Sequence, residues 1–400
     1  MKSKQDIQLE LLAEIDDICS KNGLKYILIG QTALNAYLNH TVKNGTRMMS
    51  VAMTMGDMDR FCEIIENEYS DDRYVEGMFN NPKFNPSFIN YGNKNTTYFN
   101  MVYLDNNIHN GIEVRIYPIR KHAELDSTII KGWSKRLARE RKFRLTLNRV
   151  IVSDKFWHLK LATNVLNKIY AVTGGHKRYY NEIKNRIFID KWENIQDYSM
   201  VRFLKYNISS EILKETVKYD VDGIKLCLPK CTDEFFTEMY NENFREKEIK
   251  EQKIKRTVIV DTEIGYEKVI EATKDIITEA RICHEEVVWE RRKHDDEKTA
   301  VANIWRLVKM TNRQLEFKRY FKNNIDYLLT LDLDDEEQFE EVYEELKKPI
   351  STLRRYSKFG MTFSIDPKTD ALIDEVLVKS GREKLRNKIN KISNKKYFVE

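Results

Sequence analysis

The sequence predicts an α+β protein in which a small mixed-sheet core is followed by a mainly α-helical second half. Three observations carry that reading. Glycine (14) and proline (6) are scarce among 400 residues, well below the roughly 7% and 5% of ordinary proteins, so long regular elements are expected. Short apolar runs separated by turn clusters fill the first part of the chain, the pattern of a small α/β unit. Neither glycine nor proline occurs from Tyr266 to Lys348, a stretch that only long helices accommodate. A hydrophobic fraction of 41% with 21 Tyr, 18 Phe and 5 Trp fills a sizeable core and excludes disorder as the dominant state. With 68 basic against 63 acidic residues the net charge is only +5, so bulk charge implies no nucleic-acid partner.

Taken in order, Ile7, Leu9, Leu11, Leu12, Ile15 and Ile18 recur at helical spacing, and Lys21-Asn22-Gly23 supplies the stop. Tyr26 to Ile29 reads as a strand, Gly30-Gln31-Thr32 as a tight turn, and Ala33 to Leu38 as a second helix. That arrangement presents backbone N–H groups to a phosphate, although one glycine is far from a glycine-rich loop. Met48 to Met53 reads as a strand and Asp57 to Tyr69 as a helix. The Asn-rich, Pro- and Gly-containing stretch from Asn80 to Asn95 reads as loop. Thr97 to Leu104 and Gly111 to Ile119 alternate like paired strands joined by Asp105-Asn106-Asn107.

From Lys131 the texture becomes helical and basic, with Lys131, Lys135, Arg136, Arg139, Arg141, Lys142, Arg144 and Arg149 against Glu140 alone. A solvated helix face is the plain reading of that run, with phosphate or membrane-surface binding beside it. Helical spacing continues from Trp157 to Tyr206, interrupted at Thr173-Gly174-Gly175. Ile270, Ile277, Ala280, His284 and Val287 share one helix face, and Glu290 to Lys298 is almost wholly charged. The expected divisions are an α/β core over 1–125, a helical part over 126–265 and a helical extension over 266–400.

No window approaches the ~18 uncharged apolar residues of a membrane span, and the first residues are charged where a signal core would be apolar. A cytoplasmic protein without a transmembrane segment is expected. Cys19, Cys62, Cys227, Cys231 and Cys283 contain no C-x-x-C pair, which argues against a disulfide framework and a thiolate zinc site alike. The seven histidines are scattered, with no Glu-x-x-His pair.

Several ordered matches between Gln8 and Gly265 carry a family resemblance. They are the entry helix Gln8 to Cys19 with Asn22-Gly23, the turn Gly30-Gln31-Thr32-Ala33-Leu34, and Val51-Ala52-Met53 with Asp59-Arg60-Phe61. His109-Asn110-Gly111-Ile112, Ile116-Tyr117-Pro118 and Leu228-Pro229-Lys230 follow. In these the chain resembles the LicD family, nucleotidyltransferase-fold phosphotransferases that move phosphocholine or related groups onto cell-surface glycans. The resemblance implies a nucleotidyltransferase-like core. The residues themselves suggest a metal-free anion site, with backbone N–H donors at Gly30, Gln31 and Thr32, Arg115 where a carboxylate would repel phosphate, and Arg47 on the neighbouring strand.

The family's two metal-binding aspartates correspond here to Met48 and Ser50, and its third carboxylate to Arg115. Phosphoryl transfer needs Mg²⁺ held by hard oxygen ligands to neutralise the developing charge. A thioether, a hydroxyl and a guanidinium replace three carboxylates, so a divalent ion would be repelled. Glu113 lies two residues before Arg115 on the same strand face, and Asp57 and Asp59 follow the preceding strand. These three acids could rebuild a metal site, but the simpler expectation is that Glu113 pairs with Arg115 and Asp57 opens a helix.

The leading expectation is therefore a catalytically impaired LicD-like protein of surface-polysaccharide or teichoic-acid decoration. It would act as partner of an active LicD-like transferase or as a metal-free binder of a nucleotide or phosphorylated small molecule. The alternative is an active phosphotransferase working through Glu113, Asp57 and Asp59, and only that alternative requires Mg²⁺; otherwise no cofactor is expected. A third reading is an anionic-polymer or nucleic-acid binder using the Lys131 to Arg149 run, in which only Trp133 and Phe143 supply aromatic rings. Residues 266–348 offer an apolar face for packing within the chain or for a homo-oligomer.

Overall fold

The first helix, α1 (Lys4–Asn22), is defined by its own sequence at both ends. Ser3 caps it in a reciprocal box with Asp6, and Gly23 closes it in the left-handed conformation at φ 64°. The computed structural model describes residues 2–43, 48–81, 84–85, 87–103, 108–122, 153–172, 175–247, 257–290, 294–358 and 363–394, with 132, 135 and 138 besides. It is a mixed α/β protein with its helices concentrated in the second half. The chain divides into two units, one of residues 1–96, 105–150 and 156–254, the other of 97–104, 151–155 and 255–400.

In the first unit, α1 is followed by β1 (Tyr26–Leu28), α2 (Gly30–Asn39), β2 (Ser50–Met53), α3 (Met55–Glu68), β3 (Arg73–Glu76) and β4 (Ile89–Asn93). After β5 (Thr97–Asn100), which belongs to the other unit, comes β6 (Ile112–Pro118). One sheet runs in the order β1-β2-β6-β4-β3, parallel between β2 and β6 and antiparallel elsewhere. Tyr91 of β4 sits opposite Val114 of β6. Its hydroxyl donates to Glu14 of α1 at 2.6 Å and its ring meets Phe61 of α3 at 5.3 Å. Helices α1 and α3 thus cover one sheet face. Because side chains alternate, the opposite face carries the register row Glu76, Asn90, Arg115, Ser50 across four strands.

The same unit holds a small sheet of β7 (Arg120–Lys121), β8 (Met200–Phe203) and β9 (Tyr206–Ser209), and the helices α4 (Trp157–Val172) and α5 (Gly175–Ile187). The hairpin of β10 (Thr216–Val221) and β11 (Ile224–Pro229) turns on Asp222-Gly223, both at positive φ, as a tight two-residue hairpin requires. Helix α6 (Thr232–Tyr240) follows it.

In the second unit β5 pairs antiparallel with β12 (Val258–Asp261). Then come α7 (Tyr266–Ala272), α8 (Lys274–Glu290), α9 (His294–Leu328), α10 (Glu336–Lys358), β13 (Phe363–Ser364), α11 (Pro367–Lys379), α12 (Glu383–Asn390) and β14 (Ser393–Asn394). Phe99, Met101, Ile259, Leu307, Leu346 and Val376 are buried in one hydrophobic core. Most of Tyr266 to Lys348 is helical as expected, with Ile277 and Ala280 in that core, but the chain breaks at Thr273, which puts Ile270 on another helix, and 329–335 is non-helical.

Several expectations are corrected. Asn80 to Asn95 contains β4, read as loop because Ile89-Asn-Tyr-Gly-Asn93 is polar on one face only. Thr97 to Leu104 and Gly111 to Ile119 are not partners: β5 joins β12 and β6 lies between β2 and β4. Helix does not continue to Tyr206, since α5 ends at Ile187 and β8 and β9 follow. Alternation there, with Val201, Phe203 and Ile208 buried, outweighs helical spacing. The segment 126–265 accordingly holds β8 to β12 as well as helices. Strand β2 starts at Ser50, leaving Met48 in a bend before it. Arg47, the Asp105-Asn106-Asn107 turn and all of the basic run except Lys135 lie outside the described residues. The five cysteines are free, and among the described residues no helix is long and apolar enough to cross a membrane.

Candidate functional site

The C-terminal end of β1 delivers the chain to Gly30, whose φ of 63° is open to glycine and strained for other residues. Helix α2 starts there, preceded by Ile29, with no side-chain cap. A helix start of this kind directs backbone N–H groups and the positive end of the dipole outward. Thr32, one turn in, is fully buried, and its hydroxyl accepts the Ser50 N–H at 3.0 Å. Gly30-Gln31-Thr32, expected as a tight turn, thus form the first turn of α2 itself, and the Ile29 N–H, which donates to the Ser50 carbonyl at 3.2 Å, locks this helix start to the first residue of β2.

Ser50 pairs in register with Arg115, and the Arg115 N–H donates to the Met49 carbonyl at 3.0 Å. Thr32, Ser50 and Arg115 therefore form one contiguous group. The Arg115 guanidinium lies over the Phe88 ring at 4.5 Å, and its Nη2 stands 3.8 Å from Glu113 Oε1. That separation is an ion pair without the close bidentate contact of a strong guanidinium–carboxylate bond. Among the described residues the buried Arg115 Nε has no hydrogen-bond partner, and neither has the neighbouring buried Asn90 Oδ1.

Glu113 is buried beneath Tyr74, whose hydroxyl reaches Glu113 Oε2 at 3.5 Å and the Gly111 carbonyl at 3.3 Å. The Tyr74 ring stacks on His109 at 4.3 Å, and the His109 N–H donates to Glu76 at 3.1 Å. Burial pushes the Glu113 carboxyl up to about 7, against the opposing pull of Arg115, Lys4, Tyr74 and Asn90.

The other two acids are engaged elsewhere. Asp57 accepts from the Thr54 hydroxyl at 2.9 Å at the start of α3 and returns its own N–H to that hydroxyl. Asp59 pairs with Lys184 of α5. Burial raises the proton affinity of both carboxyls. Met48 is half-buried in its bend. Among the described residues no three His, Cys, Asp or Glu side chains converge as a metal centre would require. Around Arg115 the Ser50 hydroxyl, the Asn90 amide oxygen and the Glu113 carboxyl are oxygen donors, and the carboxyl already faces the Arg115 guanidinium.

No family model matches the chain. No curated protein and no solved structure matches it either. The site therefore rests on its own geometry. Sequence reasoning named Gly30, Thr32, Ser50, Glu113 and Arg115, which the structure brings together, and missed Phe88, Asn90 and Tyr74. Period-two alternation through Ile89 to Asn93 was the signal for Asn90; Phe88 had none, because its contact with Arg115 depends on where the preceding loop runs.

Proposed function

We propose that the protein is a LicD-like member of the nucleotidyltransferase fold whose metal centre has given way to a metal-free site for a phosphorylated or otherwise anionic ligand. It would serve surface-polysaccharide or teichoic-acid decoration as a ligand-binding partner of an active transferase. The observation that carries the reading is Arg115, its guanidinium over the Phe88 ring beside Ser50, with a buried Nε that has no hydrogen-bond partner among the described residues. A guanidinium offers planar, forked donors suited to phosphate oxygens. The uncapped start of α2, joined to Ser50 through Thr32, adds outward N–H groups next to it. The active alternative would need Glu113, Asp57 and Asp59 around one ion, whereas Asp57 is bonded to the Thr54 hydroxyl that caps α3 and Asp59 pairs with Lys184.

The test is thermal unfolding with nucleotides, phosphocholine and sulfate, each with and without chelator, in the wild type and in Arg115→Ala. The expected outcome is a chelator-insensitive rise in Tm in the wild type that disappears in the variant. The ligand-induced shift is compared within each protein, so any loss of basal stability in the variant cancels. No shift with any of these anions, or one abolished by chelator, would overturn the reading.

A further inference from the structure

Helix α4 presents an apolar stripe to solvent. Trp157, Leu161, Val165 and Ile169 follow one another at four-residue steps and are 65%, 56%, 46% and 55% exposed, with Leu166 beside them at 44%. Side chains four apart lie on the same helix face, so these five make one continuous surface. A contiguous apolar surface of this kind marks a protein or membrane contact.

The surrounding chemistry selects between the two. The helix contains Lys160 and Lys168 and no acidic residue. Over residues 156–187 the sequence has six Lys or Arg against one Glu, with Lys184 paired to Asp59. Exposed Lys168 borders the stripe on the helix surface. Lysine is depleted from the centres of protein–protein interfaces, whereas at a bilayer surface its stem lies along the acyl boundary and its ammonium reaches the headgroups. Tryptophan at one end of the stripe suits the same boundary.

We infer that α4 seats the protein on the surface of an anionic lipid bilayer, its apolar stripe inserted among the acyl chains and its lysines against the headgroups. With 16 residues the helix is about 24 Å long, short of the ~30 Å hydrocarbon core. It lies in the plane of the interface. The inference is independent of the Arg115 site, since it uses other residues and another ligand chemistry.

The test is flotation of the full chain with vesicles of equimolar phosphatidylglycerol and phosphatidylcholine, against vesicles of phosphatidylcholine alone. The wild type is expected to float with the anionic vesicles, less so as salt rises. Leu161→Asp should lower the partition coefficient by about tenfold or more by placing a charge in the inserted stripe. Its unfolding midpoint should stay unchanged, because Leu161 is already exposed. Lys168→Glu should weaken binding to the anionic vesicles. Absence of flotation by the wild type, or equal flotation by Leu161→Asp, would overturn the proposal. So would a dimer in light scattering that Leu161→Asp dissociates without any vesicle binding, which would assign the stripe to a second copy.

Discussion

Whether Arg115 presents a net positive charge to a ligand depends on the proton of Glu113, 3.8 Å away. Burial lifts this carboxyl from its ordinary 4.5 to about 7, so between those values the folded protein binds a proton that the unfolded chain releases. Stability from this group is complete below the ordinary glutamate value and is lost as pH rises through about 7, by roughly 3 kcal/mol in all. Glu113→Gln should flatten the wild type's fall in denaturation free energy between acid and mildly alkaline pH. It should also strengthen anion-induced stabilisation above neutral pH, where the wild-type carboxylate competes for Arg115. Parallel pH profiles of wild type and variant would refute both expectations. At this scale Glu113 and Arg115 were legible, because two residues apart on a strand means one face. The cation–π contact of Arg115 with Phe88 was not, since it joins residues whose proximity only the folded sheet creates.

Strand β4 shows how an element can be hidden by the chemistry it serves. Asn90 and Gly92 lie on its polar face, Ile89 and Tyr91 on its apolar or partnered one, and composition alone reads such a segment as loop. Gly92 is there for space: a methyl at that position would overlap the Tyr74 ring, which crosses the strand to reach Glu113. Gly92→Ala should therefore cost about 1–3 kcal/mol through overpacking and displace Tyr74. The Glu113 titration should then move back toward the ordinary range, followed by carbonyl NMR or by the pH profile of stability. An unchanged titration would show that Tyr74 does not seal the carboxyl. Elements with local punctuation were readable, as with α1 between its Ser3 cap and Gly23. The partner of β5 was not, because no local pattern in Thr97 to Asn100 points to Val258. Helix α10 also runs through buried Pro349, past the point where its proline suggests a stop.

For the whole molecule, the helical character of the second half followed from a glycine- and proline-free sequence, but its dependence on the first half did not. Phe99 and Met101 are buried in the same core as Ile259, Leu307 and Leu346. Ending the chain after Gly265 should leave both in water with most of that core absent. The truncated protein is expected to aggregate, or to lose several kcal/mol of stability by the removal of large buried side chains. A monodisperse, equally stable fragment would contradict this.

The pairing of β5 with β12 also sets an order of events during synthesis. Thr97 to Asn100 leave the ribosome first, and Val258 to Asp261 follow only after roughly 160 further residues, on the order of ten to thirty seconds at ordinary elongation rates. For that interval the nascent strand holds an apolar Phe99 and an open edge with nothing to pair with. Translation speed over the intervening messenger, and access of a chaperone to that edge, therefore bear on the yield of folded protein.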